Sequence, residues 1–405
     1  MKIKTLEISN FRALDHLEID LGSRLTLLVG ENGTGKTSVL DALSIGLGAV
    51  LSYLPQVTGV SFKNTDITQT DNGKAPYTRV KINIGNGLVW DRTLRRDKSS
   101  KTSEKIPNNI GLTQLKQYVE QRILNPFNDN LEFQLPVFSY YGVSRALLEV
   151  PLRRRGFPKN HQQFEALHNS LNSSSRFKSS FVWFYNKENE EQRKQKELRD
   201  FDYVLPELEV VRKAITTVFP DISEPHIMLN PLRFAVRFKG KTLDIMQLSD
   251  GYKTLLSLVI DLASRMALAN PHMGKDSLEA PSIVMIDEVD LHLHPEWQRR
   301  VIGDLLRTFP NTQFIFTTHS PYIVESVNNH LMRFHIQYEK IEDKKVIDTL
   351  AINPDDVEAY YFVNNQITNM KDPDLLLFDN NLINSFNAIS ELYDSMRDIQ
   401  WEGKE

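Results

Sequence analysis

The chain has 405 residues, enough for one large or two ordinary domains of about 100 to 200 residues each. Its 40% hydrophobic and 25% charged residues exclude a disordered or membrane-embedded polypeptide. Forty-eight Lys and Arg against 52 Asp and Glu give a net charge of −4, which excludes a polycation drawn as a whole to nucleic acid, and zero cysteines exclude a disulfide framework, a thiolate zinc site and a cysteine nucleophile.

Residues 1–50 read as strand, strand, glycine-rich turn and helix, with apolar positions at Ile3, Leu6 and Ile8, then Leu17 to Leu21, Leu25 to Val29 and Val39 to Leu47. The N-terminus alternates charged and apolar side chains and holds no secretory apolar stretch, so a cytoplasmic protein with no membrane partner is expected. Val80, Ile82 and Ile84 alternate, and the pattern resumes at Leu88 and Trp90 after Asn86-Gly87, the signature of a hairpin. Residues 97–110 and 170–180 are polar and turn-rich and read as flexible loops. Between them, Leu135 to Tyr141 reads as a buried strand. The run KENEEQRKQKELRD, within 181–215, reads as a short helical lid, with no heptads for a long coiled coil.

Further on, Leu232, Phe234, Val236 and Phe238 alternate as a strand, and Leu255, Leu258, Val259, Leu262, Ala263 and Met266 recur at helical spacing. Ile283 to Ile286 and Phe314 to Thr317 read as buried parallel strands. Two basic stretches, Arg92 to Lys105 and Arg153 to Arg155, are either solvated loops or contacts to a DNA or RNA backbone.

Gly30-Glu31-Asn32-Gly33-Thr34-Gly35-Lys36-Thr37, followed by Ser38, matches G-x-x-x-x-G-K-[ST] between a strand and a helix. Glycines let backbone N–H groups wrap phosphates at a helix start, Lys36 neutralises β and γ oxygens, and Thr37 ligates Mg2+. The expected ligands are ATP and Mg2+. The apolar strand Ile283 to Ile286 ends in Asp287 and Glu288. Asp287 is the expected metal ligand and Glu288 the general base for the attacking water. Ser249, Asp250 and Gly251 in LSDGY open a helix whose N–H groups suit a phosphate. His319 follows the strand in FIFTTHSP.

The order of these motifs resembles ABC-type ATPases: Walker A at 30–37, an LSGGQ-like signature at 248–252, Walker B at 283–288 and a switch histidine at His319. Asn10-Phe11-Arg12 and the run Asp287-Glu288-Val289-Asp290-Leu291-His292-Leu293-His294-Pro295 are similar to RecF, SMC-like and OLD heads rather than transporter heads. Tyr140-Tyr141-Gly142 with Arg145, and the short lid, most resemble compact anti-phage ATPases of the Septu PtuA type.

The resemblance implies an α/β ABC-type P-loop head with antiparallel β additions and a helical lid. Residues 1–95 and 220–340 would form the head, 96–219 an inserted arm around strand 135–141, and 341–405 a tail packed on the head or a partner. It further implies Arg12 at the nucleotide, a homodimer or higher homo-oligomer joined through ATP, and a separate HNH-type nuclease chain as partner. A stand-alone DNA-repair ATPase is the alternative. Where related heads carry a glutamine after the central strand, this chain has Tyr140-Tyr141-Gly142, and Gln134 lies too early to replace it. Asp372-Pro373-Asp374 spells the D-x-D of a Toprim nuclease but lacks a preceding apolar strand and reads as a turn.

Overall fold

A computed structural model describes residues 1–71, 73–146, 162–173, 177–336, 349–363 and 366–379, save the side chains of 145 and 146. Strands β1 (Thr5–Phe11), β2 (Leu14–Asp20) and β3 (Leu25–Gly30) lead into helix α1 (Lys36–Leu51). A small hairpin, β4 (Gln69–Thr70) and β5 (Gly73–Lys74), precedes β6 (Tyr77–Asn83) and β7 (Val89–Arg95). Short helices α2 (Ser100–Ser103), α3 (Leu112–Val119) and α4 (Asn125–Asn128) lead to β8 (Val137–Tyr141). Helices α5 (Lys178–Leu198) and α6 (Pro206–Val218) are followed by the meander β9 (Ile222–Leu229), β10 (Leu232–Phe238) and β11 (Lys241–Asp244). Helix α7 (Asp250–Ala269) then precedes β12 (Ser282–Ile286), α8 (Pro295–Gln298), α9 (Val301–Thr308) and β13 (Thr312–Thr318). Last come α10 (Pro321–His335), β14 (Val357–Val363) and β15 (Gln366–Asn369).

Six strands form the central sheet in the order β15-β14-β3-β13-β12-β8, parallel except at the β15 edge. A parallel sheet covered on both faces demands continuous apolar strands. β3, β8, β12 and β13 are accordingly buried along their whole length. An antiparallel sheet, β2-β1-β6-β7, lies across α1, which packs against strands of both sheets. The indole N–H of Trp90 on β7 donates to the Gly46 carbonyl of α1 at 2.9 Å, tying the second sheet to that helix.

The central sheet draws strands from all three segments that the sequence separates. β8, read as the centre of an inserted arm, pairs parallel to β12 with Tyr141 opposite Ile286. β14, read as part of a tail, pairs parallel to β3 with Phe362 opposite Gly30. Both additions satisfy a sheet edge that would otherwise expose unpaired backbone groups.

The stretch read as a loop at 97–110 contains α2, capped by the Ser99 side chain. In 170–180 the last three residues already belong to α5, and 174–176 fall outside the described residues. The Arg153 to Arg155 cluster also falls outside them. In the lid, Glu191 of the charged run is buried and takes a two-pronged bond from Arg212 of α6, both contacts at 2.9 Å, so α5 and α6 are clasped together.

Candidate functional site

β3, β13 and β12 are parallel neighbours, so the three segments leaving their C-terminal ends open on one edge of the sheet, the usual ligand crevice of an α/β fold. Those segments hold Gly30 to Ser38, His319 and Asp287-Glu288. Gly30 sits against β14, where a Cβ would lie 2.3 Å from the Phe362 carbonyl oxygen, so no other residue fits. The exposed turn Glu31 to Gly33 is held by the Thr34 hydroxyl donating to the Glu31 carbonyl at 2.9 Å. Gly35 caps α1 with φ 101°, and no acidic side chain occupies that helix's first turn, leaving a positive N-terminus.

Lys36 is buried and folds back over the loop, its Nζ donating to the carbonyls of Gly30 at 2.7 Å and Glu31 at 2.6 Å. Burial lowers its pKa, and Glu288, Asp287, Asp290 and Glu31 pull it back up. Thr37 Oγ1 donates to Asp287, 3.1 Å from Oδ1 and 3.0 Å from Oδ2, and Asp287 is buried. A hydroxyl beside one carboxylate fits Mg2+, which prefers few protein oxygens and fills its octahedron with water and phosphate.

Thr317 of β13, which the sequence reading missed, organises the acidic end. Its hydroxyl donates to Asp287 Oδ1 at 2.6 Å and accepts the Glu288 N–H at 2.6 Å. Glu288 itself adopts φ 47°, a left-handed conformation that costs a non-glycine residue and is found at functional turns. His319, half-exposed, places Nδ1 3.3 Å from Asp290 Oδ2, and the Thr318 hydroxyl binds the other Asp290 oxygen. The Thr-Thr pair before the histidine is the only sequence signal for this arrangement: two hydroxyls ending a strand that runs beside the acidic one.

The signature lies apart from this cluster. Ser249 caps α7, Asp250 pairs with Lys253 at 2.6 Å, and a Cβ on Gly251 would lie 2.6 Å from the His292 carbonyl oxygen. These residues therefore pack on the segment after Glu288 and make no hydrogen bond or ion pair to the phosphate loop among the described residues. Arg12, at φ 53°, is committed to Asp41 of α1 at 2.5 Å and to Asp66 at 3.0 Å, bracing the loop's helix from behind. Tyr140, in the strand that ends in Tyr140-Tyr141-Gly142, is fully buried. Burial, with the charges of Asp41 and Asp287, pushes its phenol pKa up. Arg92 is engaged with the carbonyl of Ile45 at 2.9 Å, and Arg96 with Asp97 at 2.8 Å, while the Arg145 side chain falls outside the described residues. Asp372 accepts the N–H groups of Asp374 at 2.8 Å and Leu375 at 2.7 Å and thus closes a turn.

A family model described as an AAA domain matches residues 5–222, more than half of the chain. The chain belongs to the AAA domain family. The chain is 25% identical over 379 residues to the Retron Vc95 probable ATPase of Vibrio cholerae serotype O1 biovar El Tor, covering 82% of this chain and 73% of that relative. It is likewise 25% identical over 338 residues to the Septu protein PtuA of Bacillus thuringiensis, covering 80% and 73%. Its fold is that of the SMC head bound to the C-winged helix domain of ScpA, with a TM-score of 0.50 at 15% identity, over 91% of this chain and 97% of that one. Among the described residues no helix is long and apolar enough to cross a membrane.

Proposed function

We propose that this chain binds and hydrolyses ATP as the sensor subunit of a defence complex whose nuclease is a separate, HNH-type chain. The observation carrying the ATPase reading is the Thr37 hydroxyl 3.0 Å from the buried Asp287 carboxylate, at the mouth of a glycine loop that opens a helix. When bound there, Mg2+ supplies charge neutralisation at the β- and γ-phosphate oxygens. Thr37 and Asp287 would hold it, the α1 N-terminus and Lys36 would receive the phosphates, and Glu288 would take the proton of the attacking water. His319, oriented by Asp290, donates to the γ-phosphate.

Ser249 and Gly251 make no hydrogen bond to their own phosphate loop among the described residues, which supports a signature that acts on the nucleotide of a second head, so that ATP joins two heads. The likeness to the Septu protein PtuA and the Retron Vc95 probable ATPase supports the defence setting. The turn closed by Asp372 supports a nuclease on another chain.

Magnesium-dependent phosphate release by the purified chain tests the ATPase reading, and affinity purification from native cells tests the partner. A stably bound nuclease is expected in the eluate, and recovery of the chain alone would remove the defence-complex reading. Ser249→Arg is expected to leave ATP affinity within about twofold while abolishing ATP-dependent dimer formation, since it places bulk and charge only at the facing head's phosphate. Light scattering with and without ATP measures the second effect. Loss of nucleotide binding in this variant would show that Ser249 serves its own subunit.

A further inference from the structure

Helix α8 has only four residues, too few to hold its place by its own hydrogen bonds, so its side chains decide where it sits. Its start is fixed by Pro295 and by the His294 ring, which accepts the Glu296 N–H at 3.3 Å. Trp297 turns toward the signature: its ring lies 4.9 Å from that of Tyr252, edge-on at 71°, and 5.3 Å from that of Phe219. The Arg300 guanidinium lies over the same indole at 4.9 Å. The residue after Trp297 faces a different neighbour.

Gln298 joins two segments of the candidate site. Its Nε2 donates to the Leu293 carbonyl at 2.8 Å, and its Oε1 accepts the Ser320 hydroxyl at 2.6 Å. A carbonyl can only accept, so the amide nitrogen must face Leu293, which leaves the amide oxygen for Ser320. Leu293 belongs to the segment after Glu288, and its N–H donates to the Asp290 carbonyl at 3.0 Å. On the other side, the Ser320 N–H donates to the Thr318 hydroxyl at 3.0 Å, and that hydroxyl donates to Asp290 Oδ1. The bonds close a ring through Asp290, Leu293, Gln298, Ser320 and Thr318. His319 lies between two members of the ring, with Nδ1 3.3 Å from the remaining Asp290 oxygen. Asp290, Thr318 and Ser320 are buried, whereas His319 is half-exposed and depends on these bonds rather than on packing for its position.

We propose that Gln298 is a positioning residue for ATP hydrolysis: it ties the loop carrying His319 to the acidic segment and thereby sets where the imidazole meets the γ-phosphate. This role rests on the ATPase reading above and on the part His319 plays in it. In that reading the amide touches neither nucleotide nor metal, so its loss is felt in the chemical step, while Lys36, Thr37, Asp287 and the α1 N-terminus still bind ATP. The packing of α8 does not rest on the amide alone. The Ser326 hydroxyl of α10 donates to the Arg299 carbonyl at 2.6 Å, a second tie between the end of α8 and α10.

Gln298→Met keeps a side chain of similar length and good helix propensity and removes both bonds. In steady-state hydrolysis by the full chain, this variant is expected to lose about tenfold in kcat, with KM and calorimetric ATP affinity within about twofold of the wild type. His319→Ala alone should lose about a hundredfold, the cost of one donor to developing charge. The double variant decides between positioning and general damage. An amide that acts through the histidine has nothing left to position, so Gln298→Met should cost less than about twofold in the His319→Ala background, whereas a merely structural defect would repeat its full loss there. Ser320→Ala breaks the same ring at its other end and should give the same pattern, so the test does not depend on the folding of one variant. An unchanged kcat in Gln298→Met, a matching loss of ATP affinity, or an undiminished further loss in the His319→Ala background overturns the positioning role. No hydrolysis by the wild-type chain, or an unchanged kcat in His319→Ala, overturns instead the reading of the site on which Gln298 depends.

Discussion

Lys36→Ala is expected to lower ATP affinity at least about a hundredfold, the equivalent of losing two charge-assisted hydrogen bonds of roughly 1.5 kcal/mol each. The ammonium lies in the loop, 2.7 Å from the Gly30 carbonyl and 2.6 Å from that of Glu31, and no other lysine or arginine occupies residues 30–38. Acidic neighbours Glu288, Asp287 and Asp290 make the cation more important, because without it they repel the incoming phosphates. Alanine is the best helix former at the first position of α1, so the fold should survive, and an unchanged thermal melt beside lost nucleotide binding is the anticipated pair of results. Wild-type affinity in this variant would remove the phosphate-loop assignment. The same lysine fixes a pH dependence. Burial lowers its pKa in the free protein and phosphate oxygens raise it in the complex, so affinity should fall as the pH rises through the alkaline range.

Glu288→Gln is expected to slow ATP hydrolysis by about 10² to 10⁴ while leaving ATP affinity nearly intact. Glutamine keeps the shape of the side chain, and the Glu288 backbone N–H keeps its 2.6 Å bond to Thr317, so Asp287 and Thr37 stay in register. Only the proton acceptor is lost. With hydrolysis blocked, ATP-bound heads should accumulate as dimers, seen by light scattering, whereas phosphate release falls toward background. A variant that turns over at the wild-type rate would assign the base elsewhere. Thr317→Val offers an internal control: it removes a hydroxyl that serves both acidic residues, so it should weaken metal-dependent binding and hydrolysis together.

The parts of this protein legible in the sequence are those whose physics is local. Gly30 to Thr37 needs only flexible backbone, free N–H groups and a following helix, all contained in one short run of residues. The hairpin at Asn86-Gly87 is equally local, since its left-handed glycines, Gly85 and Gly87, lie within the turn itself. Continuous apolar runs at Ile283 to Ile286 and Phe314 to Thr317 announce buried parallel strands for the same reason.

Which strand lies beside which is not local. Nothing in the run Leu135 to Tyr141 distinguishes the edge of the central sheet from the middle of an inserted arm, because a buried strand looks the same in either place, and its pairing partner Ser282 to Ile286 lies far along the chain. β14 joins β3 across a still longer separation. The roles of Thr317, Asp290 and Arg12 follow from such pairings: Thr317 meets Asp287 because β13 runs parallel to β12 with Phe316 opposite Ile286, which brings the next residues level, and Arg12 meets Asp41 and Asp66 because a turn of the second sheet lies against α1. The ring closed by Gln298 exists only where α8 meets both the segment after β12 and the start of α10, so its chemistry is set by side chains that no local pattern singles out.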